Sequence, residues 1–131
     1  MAKTYSYLTL VGDVYDTERV TELMKITPDS IRKKGEPVGK NPSFGFTEWS
    51  LESGEMELDN VQAAINAIME KVPCTPEIMR QVADETSAEW NLLIVVYFYG
   101  GQLPNLSLSS DTIRFAEHIG AVIGFDRYFC I

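Results

Sequence analysis

The stretch from Trp90 to Tyr99, WNLLIVVYFY, constrains the fold of this chain more than any other part of the sequence. Its part from Leu92 to Phe98 is the longest uninterrupted apolar run and shows no alternation between apolar and polar residues. This pattern is typical of a strand inside a sheet, covered on both faces or packed at a tight interface. The run is far shorter than the roughly 20 residues that a helix needs to span a bilayer. We therefore predict a central strand here.

Strand and helix patterns alternate along the rest of the chain. Strands are predicted at 5–11, 30–36, 46–51 and 122–129, and helices at 17–26, 58–72, from 76 onwards and at 111–119. The helix at 58–72 has one apolar stripe with polar residues opposite. Asp16, Thr75 and Ser109 or Ser110 are predicted N-caps, and Gly120 suits the left-handed position after a helix.

The order β-α-β-β-α-α-β-α-β favours an α+β domain, with a mostly antiparallel or mixed sheet and helices packed on it. Both ends of the chain follow one plan of strand, glycine turn, helix and strand, which suggests pseudo-symmetric β-α-β halves. A length of 131 residues matches one ordinary domain. We therefore predict a single globular domain over residues 1–131.

The charge of the chain limits the partners that we expect. Eleven Lys and Arg stand against nineteen Asp and Glu, which gives a net charge of -8. Because Lys and Arg drive binding to phosphate backbones and anionic lipids, this balance disfavours nucleic acids and membranes and permits a basic protein. The N-terminal residues lack the cleavage site of a signal peptide, and Cys74 and Cys130 have no near metal-binding or redox partner. We expect a cytoplasmic protein.

The stretch from Arg32 to Trp49 holds four cations, three glycines and two prolines. A phosphate-binding loop would need G-x-x-x-x-G-K-[ST] between a strand and a helix. Gly35 and Gly39 miss that spacing, and a strand follows instead of a helix. We predict an exposed connection between two strands of a hairpin. Arg32 and Lys34 are candidates for a positively charged lip that contacts a carboxylate or a phosphate.

Catalytic and metal-binding patterns are weak in this sequence. His118 is the only histidine, so no multi-histidine metal centre can form, and its place near a helix end is favourable for structural reasons alone. Gly100 and Gly101 follow a strand, but the third glycine of a dinucleotide-binding turn is absent. The sequence therefore predicts no catalytic residues, no metal site and no cofactor.

An acidic run precedes the main helix and consists of Glu48, Glu52, Glu55, Glu57 and Asp59. Two interpretations stay open for it. Some of these carboxylates favour the N-terminal dipole of the helix. Alternatively, Glu52 and Glu55 belong to an anionic surface that faces a basic partner.

Asp126, in the terminal sequence GFDRYF, is the carboxylate that is hardest to assign. By strand alternation it either faces solvent or is paired, with Arg127 or a backbone donor. Structural pairing and a role in a site both stay open, since buried carboxylates occur in both settings. Aromatic residues, including Trp49 and Tyr128, concentrate on the predicted strands, where a sheet core and a pocket on the sheet would both use them. A pocket would combine Trp49, Asp126 and Tyr128 with Arg32 or Lys34.

Three stretches of the chain resemble a known family: YLTLVGDVYDTERVTELMKITPDSIRKKGE, FTEWSLE and LPNLSLSSDTIRFAEHIGAVIGFDRY. They are similar to the small, mostly bacterial proteins of the domain-of-unknown-function family numbered 4279. The similarity covers nearly the whole chain, and Thr17 departs from it where a proline is expected. The resemblance implies a compact intracellular domain and carries over no catalytic residues. By size and charge alone, the chain also resembles the immunity proteins that neutralise polymorphic toxins.

Three hypotheses for the function follow from these patterns. The first is a non-enzymatic protein-binding domain, an inhibitor or immunity protein that docks a basic partner. The alternative is a small-molecule-binding domain or enzyme with a pocket on the sheet around Asp126. The third is a structural module that associates with itself.

Overall fold

The computed structural model describes residues 3–36, 45–56, 61–99 and 107–130. Its strands are β1 (Lys3–Gly12), β2 (Ser30–Arg32), β3 (Thr47–Glu52), β4 (Glu89–Tyr99) and β5 (Val122–Cys130). Its helices are α1 (Thr17–Met24), α2 (Val61–Lys71), α3 (Pro76–Thr86) and α4 (Ser110–Ile119). The predicted order of elements and the α+β class are confirmed.

The five strands form one mixed sheet in the order β2-β3-β1-β4-β5. β1 is antiparallel to both β3 and β4, β2 is antiparallel to β3, and β5 is parallel to β4. The first four strands have the connectivity of the ferredoxin-like βαββαβ unit, with α2 and α3 together forming its second crossover. α4 and β5 add one parallel strand at the β4 edge.

Helices cover one face of this sheet. Along β1, buried residues such as Leu8 and Leu10 alternate with half-buried ones, as a strand with one covered face requires. Trp49 of β3 and Trp90 of β4 lie on either side of Leu10 in the register. Both indoles are fully buried, and their rings meet edge to face with centroids 6.0 Å apart. The hydrophobic core therefore lies between the sheet and the helices.

Hydrogen bonds from the two indoles tie the sheet to the helix layer. Trp49 Nε1 donates to Thr21 Oγ1 of α1 at 2.9 Å, and Trp90 Nε1 donates to the Met79 carbonyl of α3 at 2.8 Å. A buried indole N–H needs such an acceptor because leaving it unpaired is costly. The two tryptophans thus orient α1 and α3 on the sheet.

The helix ends follow local sequence. The side chains of Asp16, Thr75 and Ser109 accept hydrogen bonds from the backbone at the starts of α1, α3 and α4, so the predicted caps are confirmed. Gly120 takes the predicted left-handed conformation after α4. α1 ends at Met24 rather than at residue 26, because Lys25 is itself left-handed, with φ 58°.

The sequence predicts that β4 is covered on both faces or packed at a tight interface, and the described helices cover one of its faces. Leu92, Ile94 and Val96 are buried on the helix side. No described helix packs on the other side of β4, where Val95 is nevertheless buried and Tyr97 is half-buried. The continuous apolar run therefore reflects contacts between side chains of neighbouring strands on that side, rather than a second helix layer.

The two β-α-β halves, β1-α1-β2 and β4-α4-β5, have the same order of elements but differ in how far apart their two strands lie in the sheet. β4 and β5 are neighbours, whereas β3 is inserted between β1 and β2. Within the described ranges, no helix is both long enough and apolar enough to cross a membrane.

Candidate binding site on the open face of the sheet

The face of the sheet that points away from the helices, called the open sheet face, carries most of the candidate residues. Its members on β1 and β3 include Tyr5, Tyr7, Thr9, Glu48, Ser50 and Glu52. β2, β4 and β5 contribute Arg32, Glu89, Asn91, Tyr97, Asp126 and Tyr128. A face this rich in tyrosines and carboxylates, with no described helix on it, is the strongest candidate for a binding surface.

Four tyrosines form a continuous row across β1, β4 and β5. The rings of Tyr5 and Tyr7 are nearly perpendicular, at 87°, with centroids 5.1 Å apart. Tyr97 lies 5.9 Å from Tyr5, and their hydroxyl oxygens share a hydrogen bond of 3.2 Å. Tyr128 stacks on Tyr97 at 5.0 Å. These contacts hold each ring in a defined orientation.

A β-bulge next to the tyrosines changes the direction of one carboxylate. Glu52 pairs with Tyr7, yet Met56 pairs with Thr4, so the segment after β3 has one residue more than β1 across this stretch. Gly54 supplies the left-handed conformation that such a bulge needs, with φ +82°. The extra residue allows Glu55 to lie on the same face as Glu52.

These elements line an open concavity of about 240 Å³, called the tyrosine pocket. Its lining consists of Tyr5, Tyr7, Tyr97, Glu52, Gly54 and Glu55. At its edge, the Lys3 ammonium lies 3.3 Å from the Glu55 carboxylate. The pocket thus combines three aromatic rings with two carboxylates, of which one is paired.

A second concavity on the open sheet face, called the polar groove, continues from Glu52 towards β2 and has a volume of about 460 Å³. Its polar lining includes Arg32, Glu48, Glu52, Ser50, Thr9 and Asn91. The hydroxyls of Thr9 and Ser50 are hydrogen-bonded at 2.9 Å. The groove can therefore offer a polar ligand hydrogen-bond donors and acceptors, together with one cationic and two anionic side chains.

Two tyrosine hydroxyls have pKa values above the ordinary value of 10.0. For Tyr5, the hydrogen bond with Tyr97 lowers the pKa. Burial and the neighbouring Tyr7 raise the pKa by more than this, so the net shift is upward. For Tyr15, burial raises the pKa well above that value, and the Glu48 carboxylate adds to the effect. Both side chains are therefore neutral at physiological pH.

The structure brings some of the predicted site residues together. Glu52 and Glu55 line the tyrosine pocket. Tyr128 is outside the lining but stacks on Tyr97, which is part of it. Arg32 lines the polar groove. Asp126, on β5, is exposed on the same face and lies beside Val95 of β4. It is outside the lining of both concavities.

Other predicted residues lie elsewhere. Trp49 is fully buried on the opposite face, among the helices, and contributes nothing to either concavity. Lys34 forms an ion pair with Asp13 and is exposed. The predicted hairpin is confirmed by the antiparallel pairing of β2 with β3, while residues 37–44 of its connection lie outside the described part. Glu57 and Asp59 also lie outside the described residues.

Tyr5, Tyr7 and Tyr97 are among the strand aromatics that a sheet core and a pocket would both use, so the sequence selected none of them as a site residue. It did not select Gly54 either. The sequence does contain a signal for the β-bulge, because an isolated glycine at the end of a strand, here Gly54 after β3, is typical of a β-bulge. The tyrosines alternate with inward residues on β1, but alternation alone does not tell which face the helices cover. Only the packing of the helices distinguishes the two faces of β1.

His118 and Cys74, whose residue types often carry metal-binding or nucleophilic chemistry, line neither concavity. Among the residues that the structure describes, no group of three or more His, Cys, Asp and Glu could hold a metal ion. His118 is exposed near the end of α4, whose last carbonyls accept hydrogen bonds from Arg80. The Cys74 thiol contacts the Met24 sulfur at 3.6 Å, and burial raises its pKa, which disfavours the reactive thiolate.

The fold and this site define an α+β protein whose described helices cover one face of the sheet and whose tyrosine pocket lies on the open sheet face. The family described as "Domain of unknown function (DUF4279)" matches residues 2–130, so the chain belongs to that family. The resemblance inferred from the sequence is thereby confirmed. A search of the curated proteins and a search of the solved structures found no match.

Proposed function

We propose that this chain is a non-enzymatic protein-binding domain whose open sheet face docks a basic protein partner. The observation that carries the proposal is the row of four tyrosines beside carboxylates on a face that no described helix covers. Tyrosine is enriched at protein interfaces because it offers a large apolar ring with a polar end. The rings are already held by each other, so little side-chain entropy is lost on binding.

Charge favours a basic partner. The described carboxylates on this face are Glu48, Glu52, Glu55, Glu89 and Asp126, whereas its described cations are Lys3 and Arg32. This local excess of negative charge has the same sign as the net charge of -8. Complementary charge speeds diffusional encounter and excludes acidic partners. An inhibitor or immunity protein acting in the cytoplasm on a basic toxin is the specific role that we propose.

The proposal is tested by capture of partners from lysate on tagged protein, at low and moderate salt, with two matched charge-reversal variants. The double variant Glu89→Lys and Asp126→Lys alters the open sheet face. The double variant Glu70→Lys and Asp84→Lys changes the net charge equally on exposed helix positions. We expect one stoichiometric basic protein, retained by wild type and the helix variant and lost by the open-face variant. Equal retention by both variants would exclude the open sheet face as the docking surface.

A small-molecule site is the second candidate function, and the polar groove favours it. Its volume of about 460 Å³ lies within the usual range of ligand sites. Asp126 lies outside the groove, so the groove rather than Asp126 would be the centre of such a site. A thermal-shift screen of metabolites should then give a hit that Arg32→Gln abolishes and Asp126→Asn leaves unchanged. A hit with the opposite dependence would place the ligand at β5.

A further inference from the structure

We infer that the tyrosine pocket binds a primary alkylammonium group, supplied by a lysine side chain of the basic partner. The inference rests on the proposed function, since it names the group by which that partner is held. It concerns the pocket between Tyr5, Tyr7 and Tyr97 rather than the open sheet face as a whole.

The ring geometry suits a cation. Tyr5 and Tyr7 meet at 87°, so their faces form a corner, and Tyr97 adds a third ring tilted by 32° from Tyr5. The faces of aromatic rings are electron-rich, and a cation within about 6 Å of several ring centres is attracted to each of them. Anionic ligands would be repelled by the same faces.

The carboxylates supply the opposite charge at the same place. Glu52 and Glu55 both line the pocket, at the side formed by the β-bulge at Gly54. Glu55 is paired with Lys3, whereas no described residue forms an ion pair with the Glu52 carboxylate. Glu52 is therefore the carboxylate that a ligand cation would meet.

Hydrogen-bonding capacity selects among organic cations. An ammonium carries three N–H donors, and the pocket offers acceptor oxygens on Glu52 and on the tyrosine hydroxyls. A quaternary ammonium has no N–H, so it would leave these acceptors without donors. The lysine stem is apolar and can lie along the rings while its charged end reaches the carboxylate. A lysine side chain thus matches the pocket better than a quaternary cation.

The inference is tested by NMR titration of the ¹⁵N-labelled full chain with Nα-acetyl-lysine-N-methylamide. The neutral control is the corresponding norleucine amide, which keeps the apolar stem and lacks the ammonium, and tetramethylammonium is the quaternary control. We expect saturable shifts of the amides of Tyr5, Tyr7, Glu52 and Tyr97 with the lysine probe. Both controls should bind more weakly, the norleucine amide without detectable saturation.

Variants on the same face identify the residues responsible. Glu52→Gln and Tyr7→Leu should each weaken binding of the lysine probe by about three- to tenfold, the usual range for one carboxylate or one ring facing a cation. Glu70→Gln removes an exposed carboxylate on α2, away from the open sheet face, and should change the affinity by less than about twofold. Tyr7→Phe keeps the ring and removes only the hydroxyl, so it should weaken binding less than Tyr7→Leu does. Urea unfolding of both variants separates loss of the ring from loss of folding.

Different results would overturn different parts of the inference. Shifts that map outside the pocket, or equal binding of the norleucine amide, would exclude an ammonium site here. Tighter binding of tetramethylammonium than of the lysine probe would exclude the assignment to a primary amine. Docking of a partner on the open sheet face without any lysine binding would overturn this inference and leave the proposed function intact. Lysine binding in a protein that captures no basic partner would overturn the assignment to a partner's side chain.

Discussion

The two faces of the sheet use aromatic residues in different ways. On the helix face, Trp49 and Trp90 are fully buried and each donates its N–H to a helix. On the open sheet face, Tyr5 and Tyr97 contact each other, remain half-buried and leave a pocket beside them. The aromatic content of a strand therefore does not distinguish a core from a site. The side of the sheet on which each ring lies makes that distinction.

The largest difference between the faces should appear in stability. Trp90→Ala should lower the free energy of unfolding by about 3–5 kcal/mol, because it leaves a cavity and removes the donor to the Met79 carbonyl. Tyr97→Ala, on the same strand but the open sheet face, should cost no more than about 2 kcal/mol, since it mainly loses ring contacts. Urea unfolding measures both. Equal losses would show that the open sheet face supports the fold as much as the core does.

The β-bulge is expected to link stability with the site. Gly54 has φ +82° and open space around its Cα, so Gly54→Ala should cost about 1 kcal/mol through backbone strain alone. The substitution should also weaken binding of the lysine probe, because the Glu55 carboxylate would move. Gly45 is the matched control, with open space and no positive φ, and Gly45→Ala should change neither quantity. Urea unfolding and the NMR titration together decide the outcome.

A smaller effect of opposite sign is expected on the helix face. The Ser6 hydroxyl is buried and has no hydrogen-bond partner in the described part of the chain, so Ser6→Ala should stabilise the protein by about 0.5–1 kcal/mol. Thr4 lies on the same strand and face, but its hydroxyl donates to the Val95 carbonyl at 3.0 Å. Thr4→Val should therefore destabilise by about 1 kcal/mol. If Ser6→Ala destabilised the protein as well, its hydroxyl would have a partner in solution.

The smallest effect at neutral pH concerns the tyrosine hydroxyls. Folding raises the pKa of Tyr5 and Tyr15 above the ordinary value of 10.0, so both disfavour ionisation in the folded state. Their contribution to stability is complete below pH 10.0 and is lost as pH rises through the raised values. Unfolding measured from neutral to alkaline pH should show this decline. Tyr15→Phe should make it shallower, and an unchanged profile would mean that Tyr15 ionises normally in the fold.

Local patterns in the sequence determined the order of the elements, the helix caps and the α+β class. Caps such as Thr75 and the glycine at 120 act within one helical turn, and alternation along β1 is a property of a single strand. The negative net charge and the family resemblance also followed from the residues. Glu52 and Glu55 were selected because they are acidic and close in the chain.

The tertiary structure alone decided which residues share the site. Tyr5 and Tyr97 are 92 residues apart in the chain and meet only because β1 and β4 are neighbours in the sheet. Trp49 and Glu52 lie on the same strand, yet opposite faces separate them, since the side-chain period of a strand is two. The choice of the face that the helices cover depends on long-range packing. That choice placed Trp49 in the core and left the tyrosines to form the pocket.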